Sequence, residues 1–246
     1  MVGRRSRCSL VPPYEGYTMI PPAVDKFFPK QRATADVSEC RELKWPMSTD
    51  RYMLWIDGVG AWQLCVGSQF LIGGPTLEDK SADICLMANL SRRHASLLRK
   101  GEDWFIHPHS STVVSGRAVT GPTLLRTGDE ICLAERVRLG FRIPSVLAGS
   151  ALIDFESPHR PAHSVNGIIL MTDSILLGSR KDHHVCCPDW PDLVVIYSQD
   201  GVLRCRSKAS LTINGMRVRD SAVLSDGAIV SSDDLRFRIE RLKDRQ

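Results

Sequence analysis

The sequence predicts an all-β protein built as two antiparallel β-sandwiches in tandem, preceded by an extended N-terminal segment. From Tyr52 onward, short apolar runs rich in β-branched and aromatic residues alternate with turn residues, at a spacing of about 8–12 residues. No segment carries a sustained apolar stripe with the period of an α-helix, so we expect few helices. The pattern of runs begins again after Pro144, which indicates an internal repeat.

The repeat is supported by landmarks that occur in the same order in both halves. Each half has an apolar run ending in glycine, a Gly-containing hairpin, a Leu-x-x-Gly turn with aspartate, and a final Phe-Arg-Ile run. The matching segments are 70–73 with 175–178, 114–119 with 213–218, 125–129 with 224–227, and 140–143 with 236–239. A repeat of about 100 residues explains this order most simply.

Four regions follow from these patterns. Prolines interrupt every apolar run in residues 1–48, which predicts an extended or disordered tail. Residues 49–145 are expected to form the first sandwich and residues 165–244 the second, with residues 146–164 as a proline-containing linker.

Composition limits the classes of protein that fit. The 246 residues are 43% hydrophobic and 24% charged, which predicts a packed core rather than global disorder. The net charge of +4, from 32 basic and 28 acidic residues, is too small to indicate nucleic acid or an anionic membrane as the partner. No apolar run approaches the ~18 residues that cross a bilayer.

The cysteines favour a reducing compartment. The eight residues are scattered without a Cys-x-x-Cys pair, and several stand inside strand-like runs, where a reduced cysteine behaves as a small apolar residue. We therefore expect a cytoplasmic protein.

The most specific motif is Ser91-Arg92-Arg93-His94, which stands between two predicted strands. Taken in order with its neighbours, it resembles the forkhead-associated (FHA) domain family, clearly over residues 50–144 and more loosely over 165–242. The neighbouring motifs are Leu71-Ile72-Gly73, Val114-Ser115-Gly116, Leu125-Arg126-Thr127-Gly128-Asp129 and Phe141-Arg142-Ile143. This resemblance implies eleven-stranded sandwiches whose loops at one end recognise phosphothreonine.

The resemblance assigns roles to several residues of the first half. Ser91 matches the serine that bonds the phosphate, and His94, with Gly73, matches the residues that support the recognition loops. Gly74 stands where the family has its phosphate-binding arginine, for which Arg92 or Arg93 could substitute. Losing that charged pair costs about 1.5–3 kcal/mol, or roughly tenfold to a hundredfold in affinity.

A second recognition loop also departs from the family pattern. The asparagine of the usual Ser-x-Asn-Gly loop is replaced in the segment 109–112, where Ser110 and Ser111 are the candidate phosphopeptide-binding residues.

The second half departs from the family pattern in a complementary way. Arg180 follows Leu177-Gly178-Ser179, so an arginine is present with one residue inserted. Trp190-Pro191-Asp192-Leu193 replaces the Ser-Arg-x-His motif, and an aspartate there repels phosphate. Asn214-Gly215, a candidate loop-supporting pair, is the favoured pair of a type I′ hairpin turn. The sequence predicts a complete phosphopeptide site in neither half.

Other chemistries find little support. His183-His184-Val185-Cys186-Cys187 is the one dense group of metal-ligand types, but a zinc site needs four ligands and no second pair is visible. Strand-end residues beside a turn are the simpler interpretation. Neither a nucleophile elbow nor a phosphate loop occurs, so we expect no enzyme activity, no catalytic residue, no metal and no cofactor.

The sequence therefore predicts an FHA-domain protein that acts as an interaction adaptor. The expected partner is a protein or a phosphorylated protein, with phosphothreonine peptides of kinase signalling as the finer expectation. The alternative is a phosphate-independent structural scaffold subunit with degenerate FHA folds. Nucleic acid and membrane are not expected as partners, and the oligomeric state stays open.

Overall fold

The structure, a computed structural model, describes residues 49–76 and 82–243. All of these residues belong to one of the two units into which the chain divides, Pro46–Gln246. The tail predicted at residues 1–48 lies outside the described residues.

The described residues form a succession of 22 strands. The strands before residue 145 are β1 (Asp50–Ile56), β2 (Gly60–Val66), β3 (Gln69–Gly73), β4 (Ile84–Cys85), β5 (Ala95–Lys100), β6 (Asp103–Pro108), β7 (Thr112–Val114), β8 (Arg117–Val119), β9 (Thr123–Leu125), β10 (Asp129–Leu133) and β11 (Val137–Arg142). Those after it are β12 (Ala151–Phe155), β13 (Gly167–Met171), β14 (Ser174–Gly178), β15 (Val185–Cys186), β16 (Val194–Gln199), β17 (Val202–Ser207), β18 (Thr212–Ile213), β19 (Met216–Arg217), β20 (Ser221–Val223), β21 (Ile229–Ser231) and β22 (Arg236–Arg241).

The predicted all-β class is confirmed. A 3-10 helix at Val146–Ala148 is the one helical element of the described residues, and no helix among them is long and apolar enough to span a membrane. Most strand pairs are antiparallel, as expected. Three pairs differ, because β2 pairs with β13, β3 with β4, and β14 with β15 in the parallel sense.

The strands form one long sheet and two short ones. The long sheet has twelve strands in the order β19-β18-β21-β22-β1-β2-β13-β12-β11-β10-β7-β8. The short sheets have five strands each, in the orders β4-β3-β5-β6-β9 and β15-β14-β16-β17-β20. Corresponding strands of the two chain halves occupy corresponding places, so the long sheet shows the same succession from either end.

The two larger hydrophobic cores lie on opposite faces of the long sheet. All five residues of the central strand β13 are buried. Ile168 and Leu170 pack in the core beneath β3, β5 and β6, whereas Ile169 and Met171 pack in the core beneath β14, β16 and β17. Because successive side chains of a strand point to opposite faces, the two short sheets cover opposite sides. This two-sided burial explains the uninterrupted apolar run Ile168–Met171.

The first hairpin of each half is exchanged with that of the other half. The hairpin β1–β2 precedes β3 in the chain, yet β1 pairs with β22, with Trp55 opposite Arg238. Its side chains Leu54 and Leu64 pack in the core beneath β14 and β16. Reciprocally, the hairpin β12–β13 precedes β14, yet β12 pairs with β11. Each sandwich therefore contains strands from both halves of the chain.

The segment predicted as a linker contains the start of this exchange. β12 lies inside residues 146–164, and its residues Ala151, Leu152 and Ile153 are buried. A strand forms here because both of its faces are covered, Leu152 in one core and its two neighbours in the other. The domain boundaries themselves stay a prediction.

A polar contact anchors the chain where it crosses between the halves. Gly149 has a φ of 66°, and a Cβ atom at this position would clash with the guanidinium of Arg99. That guanidinium donates a 2.6 Å hydrogen bond to Thr172 Oγ1 and forms an ion pair with Asp173. The β5 end is thereby tied to the β13–β14 turn.

Engineered cysteines should report the exchange directly. In the Trp55→Cys/Arg238→Cys variant we expect a disulfide, because residues opposite each other on antiparallel strands have Cα atoms about 4.5–5.5 Å apart, within disulfide reach. Both positions are exposed, so the core is left intact. Peptide mapping by mass spectrometry without reduction would detect the linked peptides.

The matched control is Trp55→Cys/Arg142→Cys, which would link only if β1 paired with β11 of its own half. Arg142 lies opposite Leu152, the β12 position that corresponds to Trp55. A disulfide in the control variant without one in the first variant would contradict the exchange.

Candidate functional site

Two serine hydroxyls meet at the end of the first sandwich, where the β4–β5 and β6–β7 loops lie side by side. Ser91 Oγ, in the first loop, is 2.8 Å from Ser110 Oγ, in the second. Ser91 is exposed and Ser110 is partly exposed, so both hydroxyls can reach a ligand. The structure thus brings together two of the residues that the sequence singled out.

The buried residue His94 connects the segments around this pair. Its backbone N–H donates to Ile72 O at 2.9 Å, and its carbonyl accepts from the N–H groups of His109 and Ser110 at 2.9 and 3.0 Å. Its ring Nε2 lies 2.9 Å from Ser111 O, so Nε2 carries a hydrogen and donates it. His94 therefore links the end of β3 to both loops, whereas Ser111 contributes its carbonyl to the support.

The two glycines that follow β3 allow the Ser91 loop to lie directly on the strand end. Gly74 N donates to Ser91 O at 3.1 Å. A Cβ atom on Gly73 would clash with the Arg92 carbonyl, and one on Gly74 would lie 2.5 Å from Leu90 O. The loop backbone thus occupies the space that an arginine side chain at position 74 would need to leave the strand.

Two arginines follow Ser91 in its loop. Arg92 and Arg93 are both exposed. Burial lowers the pKa of the nearby His109, and the charge of Arg93 lowers it further. His109 Nε2 is 2.8 Å from Ser96 Oγ. The sequence did not predict this contact, because Ser96 belongs to no recognised motif. Hydroxyl donors on a loop that carries two arginines are suited to binding an anion.

Arg180 lies in the other sandwich, after β14, and does not join this group. Its guanidinium binds the Asp182 carboxylate through two hydrogen bonds, Nε to Oδ1 at 2.9 Å and Nη2 to Oδ2 at 2.8 Å. The pair raises the pKa of Arg180 and lowers that of Asp182. A phosphate at Arg180 would have to displace a carboxylate that already fills the guanidinium fork.

Asn214 and Gly215 form a hairpin turn. Their φ angles are 50° and 81°, as a type I′ turn requires. Asn214 Oδ1 accepts a 3.0 Å hydrogen bond from Ile229 N, so its amide braces the hairpin against β21. Ser115 and Gly116, with φ angles of 46° and 78°, form the corresponding turn of the first half.

The side chains of the segment 183–187 point in different directions. His183 Nδ1 accepts from Arg180 N at 3.3 Å. His184 Nδ1 accepts from Leu176 N at 3.1 Å, and its Nε2 lies 3.4 Å from Ser150 O. Cys186 is exposed and Cys187 is buried. The part of the chain that the structure describes contains no group of three or more histidine, cysteine, aspartate or glutamate residues that could hold a metal.

We predict that Gly74→Ala lowers the free energy of unfolding by about 1–3 kcal/mol, because the added Cβ atom presses on the Leu90 carbonyl. Urea unfolding would measure the change. Gly121→Ala is the matched control, since open space surrounds that position, and it should leave stability unchanged or raise it by less than about 1 kcal/mol. Equal stability of the two variants would contradict the close packing at Gly74.

Acid should destabilise the protein through His184. Burial, only partly offset by the hydrogen bond to Ser150 O, lowers the pKa of His184 to about 4. A histidine in an unfolded chain titrates near 6.5, so the unfolded state binds the proton first and stability falls as pH drops from about 6.5 to 4. The full loss from this residue is about 3 kcal/mol.

Urea unfolding at pH 7 and pH 4.5 would test this dependence. The His184→Gln variant should lose less stability between the two pH values than the wild type, whereas His163→Gln, at an exposed histidine, should lose as much. An unchanged loss in His184→Gln would exclude His184 as the cause.

Comparison with protein families matches residues 66–134 to the FHA domain. Among solved structures, the chain is similar to the FHA structure of Rv0020c, with 21% identity over 37% of this chain and 91% of that one, at a TM-score of 0.25. It is also similar to the N-terminal FHA domain from EssC, a component of the bacterial type VII secretion apparatus. That match has 13% identity over 77% of this chain and 92% of that one, at a TM-score of 0.22. A search of curated proteins finds no match.

The matched segment begins at the last residue of β2 and ends just beyond β10. It includes Ser91, His94 and Ser110, so the loops that meet at the end of the first sandwich all lie within it. The candidate site therefore lies within residues 66–134, the segment that matches the FHA domain.

Proposed function

We propose that this protein is an interaction adaptor that binds a phosphothreonine segment of a partner protein at the Ser91 end of its FHA domain. The observation that carries the proposal is the Ser91–Ser110 hydroxyl pair, held by His94 and flanked by Arg92 and Arg93. The family match supports the role of a protein-interaction module.

The chemistry of a phosphate group agrees with these residues. A phosphorylated side chain brings a charge of about −1.5 to −2 and three strong acceptor oxygens. Two hydroxyls 2.8 Å apart can both donate to such oxygens once a ligand replaces their mutual hydrogen bond. The adjacent guanidinium groups of Arg92 and Arg93 supply the compensating charge.

The close packing at Gly74 predicts modest affinity. Without a guanidinium leaving the strand end beside the phosphate, the site lacks one charge-assisted pair, which is worth about 1.5–3 kcal/mol. We therefore expect a preference for phosphorylated over unphosphorylated peptide of roughly tenfold rather than several hundredfold. We propose that this binding takes place in kinase signalling in the cytoplasm.

A second candidate function is a phosphate-independent scaffold subunit. Two observations favour it. The Leu90 carbonyl packs against Gly74, where a phosphate-binding arginine side chain would leave the strand, and the Asp182 carboxylate occupies the guanidinium of Arg180, where a phosphate would bind. In this alternative the second half is a degenerate FHA copy and both sandwiches dock partners through surfaces other than the loop ends.

Peptide-library binding to the full chain would distinguish the two functions. We expect the wild type to prefer phosphothreonine peptides over matched threonine peptides by about tenfold, measured by fluorescence anisotropy. Ser91→Ala/Ser110→Ala should abolish that preference, because it removes both hydroxyl donors. The matched control, Ser164→Ala/Ser225→Ala, changes two exposed serines elsewhere and should retain it.

Absence of any phosphate preference in the wild type would overturn the phosphothreonine proposal and favour the scaffold. Retention of the preference in Ser91→Ala/Ser110→Ala would place phosphate binding elsewhere on the molecule.

A further inference from the structure

The outer face of the short sheet β15-β14-β16-β17-β20 differs from an ordinary solvated sheet surface. Inward-pointing residues of its strands, such as Ile196 and Cys205, are buried in the core, so the residues between them point outward. We call these outward residues the arginine face, and its central members are Val195, Tyr197, Val202, Arg204, Arg206 and Val223.

Apolar and cationic groups alternate across the arginine face. Tyr197, Arg204 and Val223 lie directly opposite one another on neighbouring strands, and Val195 lies opposite Arg206. Val223 is 46% exposed although it lies within a strand. Solvent therefore contacts a mixed surface in which valine and tyrosine side chains surround two guanidinium groups.

The two arginines of this face lack carboxylate partners among the described residues. Arg206 lies over the Tyr197 ring, with its guanidinium carbon 5.6 Å from the ring centroid, and Arg204 donates to Ser221 Oγ at 3.4 Å. The outward residues of β14, β16, β17 and β20 include no aspartate or glutamate.

Arginines on the long sheet are different, because several of them are matched by carboxylates. The pairs there are Arg142 with Asp154, Arg236 with Asp57, Arg238 with Glu240 and Arg241 with Asp50. The arginine face therefore carries positive charge that no carboxylate of the described residues neutralises.

We infer that the arginine face docks an extended acidic segment of a partner protein in which a carboxylate occurs at every second position. Arg204 and Arg206 are two residues apart on β17, or about 6.6 Å along the strand. Carboxylates at every second position of an extended peptide have the same spacing, so both ion pairs can form together.

This surface lies on strands outside residues 66–134, so the inference does not depend on phosphopeptide binding at Ser91. It gives the second half of the chain a docking role of its own, since that half lacks the Ser-Arg-x-His motif.

The test uses the full chain and a fluorescein-labelled decapeptide of alternating glutamate and valine. We expect this peptide to bind at low salt, and the otherwise identical glutamine–valine and lysine–valine peptides to bind at least about tenfold more weakly. The Arg204→Glu/Arg206→Glu variant should weaken binding of the glutamate peptide by at least about tenfold, because attraction becomes repulsion at both positions.

Arg217→Glu/Arg219→Glu is the matched control, with the same change of net charge at two exposed arginines of the same half. It should bind the glutamate peptide within about threefold of the wild type. Hydrogen exchange should show protection of β17 and β20 amides in the wild-type complex.

Three results would overturn the inference. The first is equal binding of the glutamate and glutamine peptides, and the second is an equal loss in the two double variants. The third is binding only to phosphatidylserine vesicles or single-stranded RNA, with sensitivity to Arg204→Glu/Arg206→Glu, since the occupant would then not be a protein segment.

Discussion

The parallel pairing of β2 with β13 is the contact on which the rest of this structure depends. It joins two six-stranded halves into one sheet, with Trp62 opposite Gly167 and Val66 opposite Met171. β2 and β13 occupy equivalent places in the two halves but run side by side in the same direction, so one half is turned over relative to the other. The two short sheets therefore cover opposite sides of the long sheet. Both cores meet in the side chains of β13, and neither can be completed without that strand.

The exchange of hairpins makes the two halves interdependent in a way that a simple tandem would not. The core beneath the Ser91 loop includes Ile153 and Ile168, which lie outside the segment 66–134 that matches the FHA domain. Conversely, the core beneath the arginine face includes Leu54 from the first strand. Loop geometry at one end of the molecule therefore rests on packing contributed by the other half, and the Arg99–Asp173 pair adds a polar tie near the crossing.

Local features were predictable from the sequence, and their partners were not. The apolar runs gave most strands, and Asn214-Gly215 gave a hairpin turn, because each depends on residues close in the chain. The exchange was missed because the inward pattern of β1 is satisfied equally by β11 or β22. The packing of Leu90 on Gly74 was missed for a similar reason, since only tertiary contact explains why glycine occurs there. The adjacent glycines 73 and 74 were its only trace in the sequence.

Charge pairing differs between the two halves of the chain. In the second half, the guanidinium of Arg180 already binds the carboxylate of Asp182, two residues away. An anion could bind Arg180 only by displacing that carboxylate. Arg204 and Arg206, on the broad sheet surface of that half, have no carboxylate partner among the described residues. A small hydroxyl-lined site favours one compact anion, whereas arginines spaced along a strand favour an extended polyanionic segment.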